Sequence, residues 1–177
     1  MDERERSQSF EHTVLPHLDA AYNLARWLAD NEQDAQDVAQ EACLRAFKFF
    51  GNSRGDNPRA WLLAIVRNTF YSWLRKNRPA QTTVELDEEA LGVEDESVNA
   101  EVLNSRLGDV EAVGRAIADL PVEFREIVIL REMEGFSYKE IAELADVPIG
   151  TVMSRLARAR KQLQKRLAGE FKPGSQP

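Results

Sequence analysis

Cysteine is almost absent from this chain. Cys43 is the only one among 177 residues, so no disulfide can form within one molecule, and its apolar helical surroundings predict core packing. The sequence also lacks the run of about 20 apolar residues that spans a membrane. Its first residues, MDERERSQSF, lack the apolar segment of a secretory signal. We therefore expect a cytoplasmic protein.

The side chains that carry much of enzyme chemistry are also scarce. His12 and His17 are the only histidines, and no pair of cysteines accompanies them as zinc ligands. The chain has no glycine-rich loop that would hold a phosphate group. The sequence accordingly predicts no enzyme activity, no cofactor and no metal site.

Charge of one sign is missing from whole segments. The net charge is −7, and Arg106 is the only base within residues 82–111. Residues 54–78 have the reverse balance, with Asp56 as their only acid, and residues 149–167 contain no acid at all. Two basic blocks therefore flank an acidic one, and the local field of each block decides what it attracts.

Apolar residues recur with helical spacing along most of the chain. The predicted helices cover about residues 10–29, 32–50 and 58–75. Helices resume at Val110, with a break at Leu120 and Pro121. Pro16 predicts a late start or a kink in the first helix. Asn57 and Pro58 suit the cap and the first residue of the third helix. Because no segment alternates as a strand does, we expect an all-α fold.

The periodicity fades over residues 79–107, where acids dominate and aromatic residues are missing. Such a segment buries too little apolar surface to offset the entropy lost on ordering. We interpret it as a flexible acidic linker. It would join two small helical domains, residues 1–78 and residues 108–170.

The second domain contains the pattern of a helix-turn-helix motif. Ser137 and Glu140 have the spacing of a capping box, which marks the start of a helix. Ala142 is small enough for two helices to cross closely, and residues 146–148 supply a turn. The residues expected to face inward on the next helix are Val152, Leu156 and Leu163.

The start of that next helix is where such motifs enter the major groove of DNA. The amides of Gly150 and Thr151 suit a phosphate group, and Arg155 and Arg158 suit guanine. The residues expected on the outside or at phosphates are Ser154, Arg155, Arg158, Arg160, Lys161, Lys165 and Arg166. The alternative is a solvated basic helix in an ordinary bundle, but the cap, turn and arginine spacing together favour DNA binding.

Three segments resemble one known family. "GFSYKEIAELADVPIGTVMSRLARAR" resembles the region-four helix-turn-helix of the extracytoplasmic-function (ECF) sigma factors of bacterial RNA polymerase. "DAQDVAQEACLRAF" resembles their region-two segment that docks on the polymerase clamp, and "NPRAWLLAIVRNTFYSWLRKNR" resembles their promoter-melting helix. The resemblance spans about residues 10–78 and 108–167.

The resemblance implies what each part does. Residues 1–78 would form the region-two domain, which binds core polymerase and recognises and melts the −10 element. Residues 108–170 would form the region-four domain, which recognises the −35 element. Members of this family are commonly held by an anti-sigma protein, so the resemblance implies promoter DNA, core polymerase and an anti-sigma factor as partners.

The second predicted helix carries the polymerase-binding candidates. Asp37, Gln40, Glu41 and Leu44 are spaced so that they share one helix face. From the residues alone, a solvated polar face explains this pattern better than a contact surface does. The resemblance assigns the face to the polymerase clamp.

The third predicted helix carries the −10 candidates. Holding a melted strand requires a basic track and a pocket for an extruded base. The candidates are Arg59, Arg67, Asn68, Tyr71, Arg75, Lys76 and Arg78, with the loop 51–57 as the pocket. Trp61 is interpreted as a core residue, and the role of Trp73 is left open.

Two positions depart from the family pattern. Asp146 lies where the turn of the motif usually has glycine, and Ser72 lies where an aspartate is often found. Aspartate tolerates the left-handed backbone conformation better than most residues, so we expect the turn to form.

Two other functions fit parts of the sequence. A helix-turn-helix regulator that binds DNA without polymerase would normally act as a symmetric dimer on paired half-sites. An interaction protein that sequesters a partner would not need the arginines of the last helix. The basic segment 58–78, and the lack of an evident sensing module, favour the sigma factor.

Overall fold

The computed structural model describes residues 2–52, 55–78 and 110–170. These residues form helices, turns and short connections, and no strand occurs among them. The predicted linker, residues 79–107, lies outside the described residues. The chain divides into two compact units, one containing the helices before the linker and the other containing most of the residues after it. The all-α prediction is confirmed.

The first unit contains four helices. They are α1 (Glu3–Val14), α2 (Leu18–Leu28), α3 (Glu32–Phe49) and α4 (Pro58–Asn77). A 3₁₀ turn, Leu15–His17, separates α1 from α2 at Pro16. Because proline has no amide hydrogen to donate, the α-helical ladder is interrupted there, and of the two expected outcomes the kink is observed.

Helix α1 begins at Glu3, several residues before the predicted start near Phe10. The amide of Asp2 donates to a carboxylate oxygen of Glu5 at 3.3 Å, as in the back-bond of a capping box. The segment before Phe10 has no apolar periodicity. Only the capping-box spacing of Asp2 and Glu5 indicated this start.

The core of the first unit lies among α2, α3 and α4, which pack against one another. Three alanines of α3 are fully buried, so the backbones of the neighbouring helices can approach it closely. The larger core residues include Leu24, Leu28, Leu62, Leu63 and Val66. Cys43 is only half-buried, and this burial raises the pKa of its thiol.

The second unit contains α5 (Val110–Ala118), α6 (Val122–Val128), α7 (Tyr138–Ala145) and α8 (Ile149–Glu170). Pro121 lies between α5 and α6, as the predicted break requires. A π-helical turn, Ile129–Met133, continues α6. Gly135 has a positive φ of 71° and turns the chain towards α7.

The core of the second unit combines apolar side chains with paired charges. Ile127, Leu130 and Ile141 are fully buried. The guanidinium of Arg160 donates to Glu132 at 2.8 Å from a side chain that is almost fully buried. Among the described residues of both units, no helix is long and apolar enough to cross a membrane.

Candidate nucleic-acid interface

The helix-turn-helix motif begins at a capping box. The amide of Glu140 donates to the Ser137 hydroxyl at 3.1 Å, and the amide of Ser137 donates to the Glu140 carboxylate at 3.2 Å. These two bonds satisfy donors that the first turn of α7 would otherwise leave unpaired. The predicted start of the motif is confirmed.

The turn of the motif depends on Asp146. Its φ of 54° is the only positive φ of a non-glycine residue recorded for the described part of the chain. The amide of Val147 donates to the Ala142 carbonyl at 3.1 Å, and the amide of Asp146 approaches the Glu143 carbonyl at 3.4 Å. This is a Schellman arrangement, so aspartate performs the task usually given to glycine, as expected.

The first turn of α8 follows directly. The amide of Thr151 already donates to the Pro148 carbonyl at 3.0 Å, so this amide is not available to a phosphate group in the arrangement seen here. The Ser154 hydroxyl donates to the Thr151 carbonyl at 3.1 Å. Gly150 and Lys161 are exposed, whereas Thr151, Ser154 and Arg158 are half-buried.

The expectation that Arg155 projects outward is wrong. Its side chain is buried, with 9% exposed. Arg155 lies three residues after Val152 and four before Ala159, and both of these are fully buried. Helical spacing therefore places Arg155 at the edge of the buried stripe, where neighbouring side chains cover its aliphatic stem.

Two further arginines of α8 are engaged within the unit. Arg160, predicted from the sequence to hold a backbone phosphate, is 7% exposed and paired with Glu132. Arg166 forms an ion pair with Asp119 at 3.5 Å and also donates to its carbonyl at 3.2 Å. Sequence spacing cannot reveal these partners, because they lie on other segments of the chain, far from α8 in sequence.

Helix α4 gathers four of its predicted side chains on one face. Arg67, Asn68, Tyr71 and Arg75 recur at helical spacing. The guanidinium of Arg67 lies 4.6 Å from the centre of the Tyr71 ring and approaches the Asn68 amide oxygen at 3.5 Å. A planar cation stacked on an aromatic ring gives a rigid, positively charged surface.

The remaining candidates of α4 are placed differently. Arg59 is half-buried and Lys76 is exposed, both off the face that carries Arg67 and Tyr71. Arg78 forms an ion pair with Asp30, which ties the end of α4 to the turn between α2 and α3. Its guanidinium therefore has an acidic partner within the protein.

The aromatic side chains of this unit are only partly in the core. Trp61 is half-buried and meets the ring of Phe50 edge-on at 6.4 Å. Trp73 is half-buried and stacks on the buried ring of Phe70 at 6.1 Å. Of the loop between α3 and α4, residues 53 and 54 lie outside the described residues, so the predicted pocket is described only at its two ends.

Helix α3 exposes the four predicted polymerase-binding side chains. Asp37, Gln40, Glu41 and Leu44 are all exposed, and 68% of Leu44 is accessible. Glu41 forms an ion pair with Arg45 at 2.9 Å. A leucine this exposed beside carboxylates is suited to a partner that is apolar at its centre and basic at its edge.

Comparison with known proteins decides the family. The Sigma-70 region 2 family matches residues 13–80, and the Sigma-70, region 4 family matches residues 110–163. The RNA polymerase sigma-H factor of Pseudomonas aeruginosa is 34% identical over 172 residues, which cover 93% of this chain and 89% of that protein. The ECF RNA polymerase sigma-E factor of Escherichia coli is 36% identical over 143 residues, covering 76% of this chain and 74% of that protein. This chain belongs to the ECF sigma factors.

A longer relative and two solved structures extend the comparison. The sigma factor SigE of Mycolicibacterium smegmatis is 36% identical over 162 residues, and the match covers 90% of this chain but 62% of that protein. The sigma factor RpoE of Bartonella quintana, solved in complex with the anti-sigma factor NepR, has a TM-score of 0.70 and 27% identity, covering 94% of this chain and 99% of that one. CnrH, solved with the cytosolic domain of CnrY, shares the fold, with a TM-score of 0.61 and 23% identity over 96% and 91% of the two chains.

Two features of this sigma factor escaped the sequence analysis. Phe49 is 49% exposed, although it lies three residues after Ala46 and seven after Ala42 on the inward stripe of α3. The ammonium of Lys48 lies 5.6 Å from the centre of its ring. The sequence signal that could have drawn attention to Phe49 was an aromatic residue on the inward stripe at the end of a helix. The second feature is Arg6, whose bonds to α3 join residues more than 40 positions apart and leave no local pattern.

Proposed function

We propose that this ECF sigma factor binds core RNA polymerase through α3 and directs it to promoters through α4 and α8. The observation that carries the proposal is that one chain contains both family matches, over residues 13–80 and 110–163. A regulator that acts without polymerase needs only the helix-turn-helix motif of the second unit to recognise DNA. It would have no use for an exposed acidic face on α3 beside a basic face on α4.

The −10 element would be opened and held at α4. Arg67, Asn68, Tyr71 and Arg75 offer two cations, an amide and a ring on one face. Cations neutralise the phosphates of the displaced strand, and the ring and the Arg67 plane are surfaces on which an unstacked base can stack. Arg59, Lys76 and Arg78 would act from the flanks, with Arg78 exchanging Asp30 for a phosphate group.

The −35 element would be read at the start of α8. The Gly150 amide and the Thr151 hydroxyl, rather than the Thr151 amide, would meet a phosphate. Ser154 and Arg158 would reach base edges, and Lys161 would hold the backbone. Arg155 would reach DNA only after leaving its buried position, so we assign the main base contact to Arg158.

The remaining partners follow from the same function. Because the nucleotidyl chemistry would belong to polymerase, this chain needs no catalytic group of its own, and it would work in the cytoplasm beside the chromosome. The RpoE protein of B. quintana was solved with an anti-sigma factor. We propose that this chain also binds one, which would compete with polymerase or DNA for the same surfaces.

In vitro transcription tests the proposal. Core polymerase, a promoter library and nucleotides are incubated with and without this chain, and transcripts are sequenced. We expect specific starts only when both proteins are present. A chain that changes no start site would refute the sigma function. Tight binding to palindromic DNA by the chain alone would support the regulator instead.

A further inference from the structure

The first helix holds the end of α3 through Arg6. One terminal nitrogen of its guanidinium donates to the carbonyls of Phe47 and Lys48 at 2.8 and 2.7 Å. The Phe47 carbonyl also accepts from the Phe50 amide. The last carbonyls of a helix carry its negative end, so a cation placed there supplies a further donor and stabilises them. The same guanidinium lies 5.4 Å from the centre of the Phe47 ring.

A chain of aromatic rings continues from Phe47 to α4. Phe10 of α1 is buried, and its ring meets those of Phe47 and Phe50 edge-on at 5.2 and 5.4 Å. Phe50 then meets Trp61, in the first turn of α4, at 6.4 Å. Edge-on contacts between rings are favoured by their charge distribution beyond the area they bury, so they stabilise the observed orientation of the rings.

Helix α1 therefore contacts the end of α3 directly and the start of α4 through Phe50. Phe50 precedes the connection between these helices, and Trp61 follows it. The Sigma-70 region 2 match starts at residue 13, so Arg6 and Phe10 lie outside the part of the chain that the family comparison covers.

We propose that α1 is a positioning element for promoter reading, and that Arg6 and Phe10 set how selectively the α4 face discriminates −10 sequences. The inference rests on the proposed function of α4. Selecting a base requires the cations, the amide and the ring of the α4 face at fixed positions, and a misplacement of about 1 Å at a reacting or binding group can cost up to roughly 100-fold. Arg6 touches no DNA in this scheme, and it acts through the last turn of α3.

The test compares variants of the full chain in complex with core polymerase. Arg6→Ala removes the hydrogen bonds from Arg6 to the carbonyls of α3. Arg6→Lys keeps a cation that can donate to the same carbonyls. Arg4→Ala is the matched control, because Arg4 is an exposed cation on the same helix. Open-complex formation is measured at saturating holoenzyme on promoters that differ by single bases in the −10 element or in the −35 element.

We expect Arg6→Ala to reduce discrimination among −10 sequences by roughly three- to tenfold, a fraction of the full penalty of misplacement, while −35 discrimination is unchanged. Arg6→Lys should restore most of the selectivity, and Arg4→Ala should match the parent protein. If Arg6→Ala also lowers the melting temperature, Phe10→Leu serves as a second variant, because it keeps apolar burial but loses the edge-on rings. We expect it to reduce discrimination among −10 sequences in the same way.

The outcomes separate the two proposals. Unchanged −10 discrimination in Arg6→Ala and Phe10→Leu overturns the positioning role while leaving the sigma function intact. An equal loss on every promoter, −35 variants included, also overturns it, because that pattern reflects general damage to the fold. A parent protein that opens no promoter with polymerase overturns the proposed function and this inference together.

Discussion

The arginines of this ECF sigma factor differ in the contacts that their guanidinium groups make within the protein. Arg155 and Arg160 are buried, and Arg78 is paired with Asp30. Arg67 is stacked on Tyr71. A buried or paired guanidinium must give up its surroundings before it can bind DNA, so equal charge along the sequence does not mean equal affinity.

Arg158 rather than Arg155 is expected to choose the base at the −35 element. Arg158→Ala should cost about 1–3 kcal/mol at one guanine and relax the preference at that position. Arg155→Ala should instead lower the free energy of unfolding by about 1–2 kcal/mol, because the packing of its stem is lost. Holoenzyme binding to base-swapped promoters, and urea unfolding of each variant, measure these effects. A shift in base preference caused by Arg155→Ala alone would reverse the assignment.

The salt dependence of promoter binding should distinguish Arg75 from Arg78. Arg75 is exposed, so Arg75→Ala should reduce the slope of log affinity against log salt by about 0.7–0.9. Arg78→Ala should change the slope less, because Arg78 must break its ion pair with Asp30 before it can bind a phosphate group. Asp30→Asn serves as the control and should strengthen binding. Equal slopes for both alanine variants would show that the ion pair opens at no cost.

Asp146 stores a small strain in the turn of the motif. A non-glycine residue in the left-handed region costs about 1–2 kcal/mol, less for aspartate and asparagine than for others. Asp146→Asn should leave the free energy of unfolding nearly unchanged, and Asp146→Val should lower it by about 1–2 kcal/mol. Urea titration of the full chain makes the comparison. Equal stability of the asparagine and valine variants would contradict the role of the positive φ.

At the scale of helices, most features that depend on nearby residues in the sequence were predicted, and contacts between helices were not. The capping box at Ser137, the cap at Asn57 and the break at Pro121 were predicted because each depends on residues within four positions. The early start of α1 was missed because its first turns lack apolar residues. The burial of Arg155 was missed although its spacing from Val152 and Ala159 indicates it. The Arg78–Asp30 pair was missed because it depends on how helices pack, which one helical wheel cannot show.

Helix α3 is expected to bind polymerase and not DNA, because its exposed carboxylates would repel phosphates. The double change Asp37→Arg with Glu41→Arg should abolish co-purification with core enzyme while the helical circular dichroism is retained. The change Glu11→Arg with Asp19→Arg is the control, since it alters net charge equally at exposed residues of α1 and α2. Normal co-purification of the first double variant would exclude this face as the contact.

At the scale of the whole molecule, neither DNA-facing helix is expected to bind tightly alone. Affinity rises with the number of phosphates neutralised, and one reading head without a symmetric partner neutralises few. The acidic segment 79–107, a linker by sequence, is also expected to compete with DNA for the basic helices. Polymerase would fix the separation of the two units, so that the second contact becomes intramolecular.

A titration of labelled promoter tests this cooperation. The chain alone and the core enzyme alone should give weak, salt-sensitive binding without strand opening. Together they should give a stable open complex, with an affinity gain on the order of 10²-fold or more. Replacing the acids of segment 79–107 by amides should strengthen binding by the chain alone. Tight sequence-specific binding by the unaltered chain alone would refute the cooperative scheme.

The left-handed backbone at Asp146 has a consequence for how such a turn can change over time. Aspartate and glycine codons differ by a single base in the second position, so one transition converts this turn to the residue usual in the family. Both residues adopt the required conformation, and no intermediate with a bulky or branched side chain has to be crossed. Lineages can therefore exchange the two freely, and a carboxylate at this position is a poor marker of descent.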